Sequence, residues 1–247
     1  MKNIIFIFSI MLLSCQNSEV KGKICLVIDD FGYTINSPAI DFLKLDENIT
    51  IAIIPGTPYA EKISQAAHSR KIETIIHMPM EAQDSHEESW YTIREQLNSK
   101  EVDDRIVMAH ELIPYAKGMN NHQGSKATEN LELMKSVARS LKKLDLFFLD
   151  SFTNPESRAF ITMRRYGVKT ELRQVFLDHK ESYSEILNHL DSLVLLSHSM
   201  DVAIGIGHAK PLTLQVLKNE IPKFYGDDGY TKEKHNSIKS HTKDKTK

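Results

Sequence analysis

A parallel α/β architecture is what the sequence predicts, and three observations predict it. Short apolar runs with little polar alternation recur at 24–28 (ICLVI), 48–55 (NITIAIIP), 72–77 (IETIIH), 146–149 (LFFL) and 201–206 (DVAIGI). Runs of that kind fit strands covered on both faces, as in a parallel sheet or a β/α barrel. Helix-like segments separate them, giving a β-α-β-α-β rhythm. Most of the runs also end in a carboxylate, an imidazole or a proline-glycine turn. In such folds the C-terminal ends of the strands carry the chemistry.

In chain order, the first strand ends in the adjacent carboxylates Asp29 and Asp30, followed by a turn at Gly32. Ser37-Pro38 opens a helix over 37–45 in N-cap and first-turn order. The second strand stops at Pro55-Gly56, and 58–70 reads as a helix with Ile63, Ala66 and Ala67 on one side. The third strand ends at His77 before Pro79. The stretch 81–102 is polar and then helix-like, and holds Trp90, the single tryptophan. Beside a site that indole suits either a sugar-stacking platform or a residue that packs its loop down. Residues 118–125 (GMNNHQGS) read as a glycine-bracketed polar loop where a strand should finish. The helix predicted over 128–143 has Leu131, Met134, Val137, Ala138 and Leu141 at helical spacing. The strand at 146–149 then has Asp150-Ser151 at its tip. A helix at 158–166, a short strand at 168–170, and a strand at 174–177 tipped by Asp178 follow. A helix over 181–199, the last strand with Gly207-His208 after it, and a helix over 212–221 complete the domain.

The 247 residues, 41% apolar and 26% charged, suit one large globular domain or two small ones, with the strand and helix series occupying 23–224. A formal net charge of -2 provides no basic face for nucleic acid. Lys2, the apolar IIFIFSIMLL and Ser14-Cys15 make 1–15 resemble a bacterial lipoprotein signal, with cleavage before Cys15 and lipid on its thiol. An uncleaved N-terminal anchor is the alternative. Either way the expectation is a membrane-anchored protein of the bacterial cell envelope, facing the periplasm or exterior. Residues 16–22 are then a linker, and the lysine-rich 225–247 a disordered tail. With Cys15 set aside only Cys25 remains, so no disulfide forms within the chain.

Strand tips converge in a parallel fold, which gathers Asp29, Asp30, His77, His122, Asp150, Asp178 and His208. Two adjacent carboxylates repel one another and call for positive charge beside them. A divalent ion held by one aspartate and two histidines meets the ligand count of a catalytic zinc site. A second carboxylate suits a general base and a further histidine a general acid. Helix capping is the alternative for any one of the aspartates. His68, His86, His110, His179, His189 and His198 fall on helices or polar segments and read as packing or solvent-facing residues.

Together, VIDDFGY (27–33), HMPME (77–81), GMNNHQGS (118–125), FLDSFT (148–153), VFLD (175–178) and AIGIGHAKP (203–211) resemble the divergent polysaccharide deacetylase family. The resemblance implies a single-domain, irregular (β/α) barrel of the polysaccharide deacetylase type. It further implies Asp30, His77 and His122 as ligands of Zn2+ or another divalent transition metal, with Asp29 as catalytic base and His208 as general acid. Asn121, Asp150 and Asp178, in the same motifs, are the candidate substrate contacts. The implied activity is removal of acetyl groups from N-acetylated sugars of an envelope polysaccharide or peptidoglycan. The alternative is a non-catalytic envelope lipoprotein that uses the same cleft to bind glycan or a partner. Phe152 stands where the family's FLDSRT-like motif has arginine.

Overall fold

The apolar runs do form strands, and they do so side by side. In a computed structural model, which describes residues 23–45, 48–84 and 89–224, eight parallel strands make one curled sheet in the order β6-β5-β4-β3-β2-β1-β8-β7. The strands are β1 (Lys23–Phe31), β2 (Ile49–Ile53), β3 (Glu73–Met80), β4 (Ala116–Gln123), β5 (Phe147–Asp150), β6 (Thr170–Leu172), β7 (Val175–Phe176) and β8 (Val202–His208). Helices α1 (Ala39–Phe42), α2 (Ala60–Ser69), α3 (Ser99–Leu112), α4 (Leu131–Lys143), α5 (Ala159–Tyr166), α6 (Tyr183–Ser197) and α7 (Pro211–Phe224) join them. Cys15, the linker 16–22 and the tail 225–247 lie outside the described residues.

The two ends of the sheet are tied together by one short stretch. β6 pairs with β5 and β7 with β8, and only Arg173 and Gln174 separate β6 from β7. The Arg173 amide donates to the Asp150 carbonyl (3.0 Å) and the Gln174 amide to the Ile204 carbonyl (2.9 Å). The Gln174 side chain also accepts from the Ile204 amide (2.6 Å), so it takes the place of a missing ladder bond. The sheet therefore curls into an irregular barrel.

Strand alternation sorts the core into two layers. Leu26, Ile28, Ile51, Ile76, Met119 and Phe148 pack outward, in the layer that includes apolar residues of the helices. Their alternates Cys25, Val27, Ala52, Ile75, Phe147, Leu149, Ile204 and Ile206 form a separate buried cluster that plugs the barrel. Gly118 belongs to that inner set. A Cβ there would lie 2.4 Å from the Phe147 ring, so the aromatic plug requires a glycine on the neighbouring strand. Helix termini follow local chemistry. Asn98 and Glu101 form a reciprocal capping box at the start of α3, and Asn130 accepts from the Leu133 amide at the start of α4. Gly167, at φ 72°, ends α5 in the left-handed conformation.

Three expectations change. The polar stretch read as a loop at 118–125 lies largely within β4, since Gly118 to Gln123 pair along β3 and β5. Its polar residues face the barrel mouth or make bonds of their own, so it lacks the apolar signature of a buried strand. β3 runs on to Met80 through Pro79, whose carbonyl accepts from the Ile93 amide (2.8 Å). The helix expected over 37–45 has only one helical turn, at Ala39–Phe42.

Candidate metal centre

The site begins with a fault in β1. Regular alternation would send Asp29 inward and Asp30 outward among the helices. Instead β1 advances three residues, from Ile28 to Phe31, while β2 advances two, from Ile51 to Ile53. The extra residue is Asp30, whose φ of 68° lies in the left-handed region. Aspartate adopts that region at less cost than most side chains, and a bulge of this kind re-aims a side chain. Both carboxylates consequently reach the mouth of the barrel.

Two histidines meet them from β3 and β4. His77 Nε2 lies 3.3 Å from Asp30 Oδ1, and His122 Nδ1 lies 3.2 Å from the same oxygen. The two ring nitrogens are 3.0 Å apart. Three donor atoms on a tetrahedral zinc, at ~2.0–2.1 Å from the ion, are separated by roughly 3.3 Å. The observed triangle fits one face of that tetrahedron. Asp30 Oδ1 is also buried and makes no hydrogen bond among the described residues. A buried, orphaned carboxylate oxygen converging with two imidazole nitrogens is the arrangement a divalent ion would satisfy. Asp30, His77 and His122 are the one such cluster among the described residues.

Asn120 sets the chemistry of this triangle. Its amide Nδ2 donates to Asp29 Oδ1 (3.0 Å). A carboxylate only accepts, so the Asn120 carbonyl oxygen must be the atom 2.8 Å from His77 Nδ1. His77 Nδ1 therefore carries a hydrogen, and the ring points its Nε2 at the centre, the atom that a metal would take as ligand. Burial pushes the Asp29 pKa up, against the opposing pull of His77, the Asn120 hydrogen bond and His208. Burial acts the same way on Asp30, but His122 and His77 overcome it and hold that carboxyl well below its usual range. Two neighbouring aspartates are thus driven in opposite directions. That split assigns them different work.

His208 completes the mouth from β8. Its Nδ1 donates to Asp178 Oδ1 (2.8 Å), and its Nε2 lies 3.9 Å from Asp30 Oδ2. Asp178 Oδ2 accepts from the His208 amide (2.8 Å) and the Thr213 hydroxyl (2.7 Å). Burial would lower the His208 pKa, but the Asp178 hydrogen bond and charge, helped by Asp30 and Asp29, raise it. The Phe176 ring stands edge-on to His208 at 5.2 Å.

Five of the residues singled out from the sequence, Asp29, Asp30, His77, His122 and His208, are therefore brought together. The three candidate substrate contacts are not at an open surface. Asn121, Asp150 and Asp178 are all buried. Asn121 accepts from the Ser151 amide and donates to the Gln123 carbonyl. Asp150 accepts from the Phe152 amide and the Ser157 hydroxyl, and Asp178 is committed to His208 and Thr213. Alternation explains the first two, which lie on the outward register of β4 and β5. Asn120 was missed for the same reason in reverse. Gly118, Asn120 and His122 share one face of β4, a period-two signal hidden by reading the stretch as a loop.

Known proteins resemble this chain in sequence or in fold. Residues 26–228 match the model of a family described as divergent polysaccharide deacetylase. YibQ of Escherichia coli K12 is 34% identical over 210 residues, a match spanning 85% of this chain and 66% of that protein. An uncharacterised protein from Agrobacterium tumefaciens C58 superimposes with a TM-score of 0.78 at 18% identity, covering 82% of this chain and 83% of that one. The catalytic domain of a peptidoglycan N-acetylglucosamine deacetylase from Eubacterium rectale superimposes with a TM-score of 0.55 at 15% identity, over 84% and 86% of the two chains. With its family match running from the first strand past the last helix, the chain belongs to the divergent polysaccharide deacetylase family.

Proposed function

We propose that the protein is a zinc-dependent hydrolase that removes acetyl groups from N-acetylated sugars of an envelope polysaccharide or peptidoglycan. The observation that carries this reading is the triangle of Asp30, His77 and His122 beside Asp29, whose acidity is driven the opposite way to that of Asp30. The fold shared with a peptidoglycan N-acetylglucosamine deacetylase supports the choice of substrate. Bound in the triangle, a divalent ion supplies Lewis-acid polarisation of an acyl oxygen and acidifies a water.

The chain's own groups perform the proton transfers. Asp29, buried and raised in pKa, takes a proton from the attacking water. Asn120 keeps its Oδ1 fixed, so the oxygen that receives the proton has little freedom to turn away. His208, whose protonated form Asp178 favours, gives its Nε2 proton to the amine nitrogen as the C–N bond breaks. Acetate and the free amino sugar leave. Anchorage in the bacterial envelope through lipid on Cys15 belongs to the same proposal, resting on the signal-like residues 1–15.

Acetate release from N-acetylglucosamine oligomers and from peptidoglycan, assayed with zinc supplied, tests the reading. Asp29→Asn is expected to lower the rate by about 10²–10⁴-fold while one zinc per chain is retained. A wild-type protein that holds zinc and binds glycan yet releases no acetate would instead establish the non-catalytic reading.

A further inference from the structure

The loop between β3 and α3 displays Trp90, and the structure assigns it a use. From the geometry we infer that Trp90, Arg94 and Arg105 form a second glycan subsite, one that takes a sugar bearing a carboxylate. The identity of the polymer rests on the proposed function. The pocket itself does not.

Four contacts hold this loop in place at the indole and just after it. The Ile93 amide donates to the Pro79 carbonyl (2.8 Å), and the Glu81 amide donates to the Ile93 carbonyl (2.9 Å), which ties the loop to the end of the strand that carries His77. Arg105 Nε donates to the Trp90 carbonyl (2.8 Å) from α3. The Tyr91 ring packs so closely over Gly56 that a Cβ there would lie 2.6 Å from it. A loop anchored in this way could have buried its tryptophan. Instead Trp90 is 52% exposed. A half-exposed indole presents a flat apolar face on which a ligand can pack.

What surrounds the indole sets the ligand's chemistry. Among the described residues, Ser89, Trp90, Arg94, Gln96, Leu97 and Arg105 line a pocket of about 470 Å³, and none of these six is a carboxylate. The Arg105 guanidinium sits 5.1 Å over the indole. Its Nε and Nη1 serve the Trp90 and Glu101 carbonyls, and Nη2 bonds no described residue. The Arg94 guanidinium likewise makes no hydrogen bond or salt bridge among the described residues, its backbone carbonyl accepting from the Leu97 amide and its charge reaching Glu81 only at longer range. A flat apolar plate beside two planar cations suits a sugar ring whose C–H face stacks on the indole and whose carboxylate is forked by guanidinium. The loop leaves β3 at the strand-end face of the barrel, the face that also carries the metal centre.

Trp90 is the single tryptophan of the chain, so its fluorescence reports on this pocket alone. The full-length protein, stripped of metal, would be titrated with three probes: a GlcNAc–MurNAc disaccharide carrying a lactyl carboxylate, neutral di-N-acetylchitobiose, and N-acetylglucosamine 6-phosphate. A saturable change with the first and none at equal concentration with the second is expected. Arg94→Gln should weaken that binding by at least about tenfold, with the circular dichroism spectrum and zinc stoichiometry unchanged. No response, an equal response to the neutral disaccharide, a response to the phosphate alone, or an unaltered Arg94→Gln titration would each overturn the subsite. Acetate release from neutral oligomers would persist if only the subsite is wrong. A carboxylate-selective response without acetate release would retain the pocket and remove the hydrolase.

Discussion

On β1 the inward residues are Cys25, Val27 and then Asp29; on β3 they are Ile75 and then His77; on β8, Ile204, Ile206 and then His208. One register therefore runs from an apolar floor to an ionisable mouth within a single residue pair. The lower half is held by apolar packing, with a Thr50–Glu73 hydrogen bond (3.2 Å) at its base. Burial there even pushes the Cys25 thiol up to about 12, aided by the Glu73 charge, so it stays a neutral filler. The upper half is held by partners, because each group is desolvated by the floor beneath it and has to be satisfied from the side. The comparison teaches that the floor confers stability and the mouth confers chemistry. The two should be separable by mutation.

The largest expected effect lies in the floor. Phe147→Ala removes the biggest side chain of the inner plug, fully buried and packed against Gly118. It should lower unfolding stability by about 3–5 kcal/mol, read from chemical denaturation, while the folded fraction still takes up one zinc per chain. Loss of zinc stoichiometry in the folded fraction would show that floor and mouth are one unit. In the mouth, Asn120→Ala leaves the ligand set intact and removes only the group that orients His77 and Asp29. Zinc affinity should fall about 10–100-fold, with a smaller loss of stability than in Phe147→Ala. An unchanged affinity would mean that His77 is ordered by something other than Asn120.

A milder change sharpens the same boundary. Gly118→Ala drives a methyl group into the Phe147 ring and should destabilise by about 1–3 kcal/mol. Combined with Phe147→Leu, which frees space at the same contact, it should cost less than the sum of the two single changes. Strict additivity in denaturation measurements would place the strain elsewhere.

The floor was also the legible part of the sequence. Its strands announce themselves because residues buried on both faces leave unbroken apolar runs, as at 24–28 and 146–149. The mouth was legible by residue type and much less by position. Asp29, Asp30, His77, His122 and His208 stand out as polar tips, and the family resemblance orders them. The bulge that turns Asp30 inward depends on a mismatch between β1 and β2, which neither strand's sequence shows alone. β4 escaped because its inward residues Gly118, Asn120 and His122 have the composition of a turn. Asn121 and Asp150 looked like site residues because a strand tip has two faces, and only pairing with neighbours tells which one is open.

The smallest expected effect is confined to a window of pH. His208 has its pKa raised from 6.5 in the folded protein, so its pairing adds stability that is fully present below 6.5 and is lost as pH rises through the folded value. Burial opposes the shift in Asp178, yet the His208 hydrogen bond and charge and the Thr213 hydrogen bond lower its pKa from 3.8. Its contribution is present above 3.8 and lost as pH falls through the folded value. Both contributions coincide between those two ordinary values. Asp178→Asn removes the acceptor charge and leaves His208 to the effect of burial, which disfavours its protonated form. In metal-stripped protein the stability gap between wild type and Asp178→Asn should be widest between pH 3.8 and 6.5. It should narrow on the alkaline side, where His208 is neutral in both proteins, and again in strong acid, where Asp178 is protonated. Thermal unfolding of the two proteins across that range measures the gap. A gap independent of pH would mean that Asp178 serves Thr213 and the His208 amide alone, and that the ring of His208 is held for its shape and not for its proton.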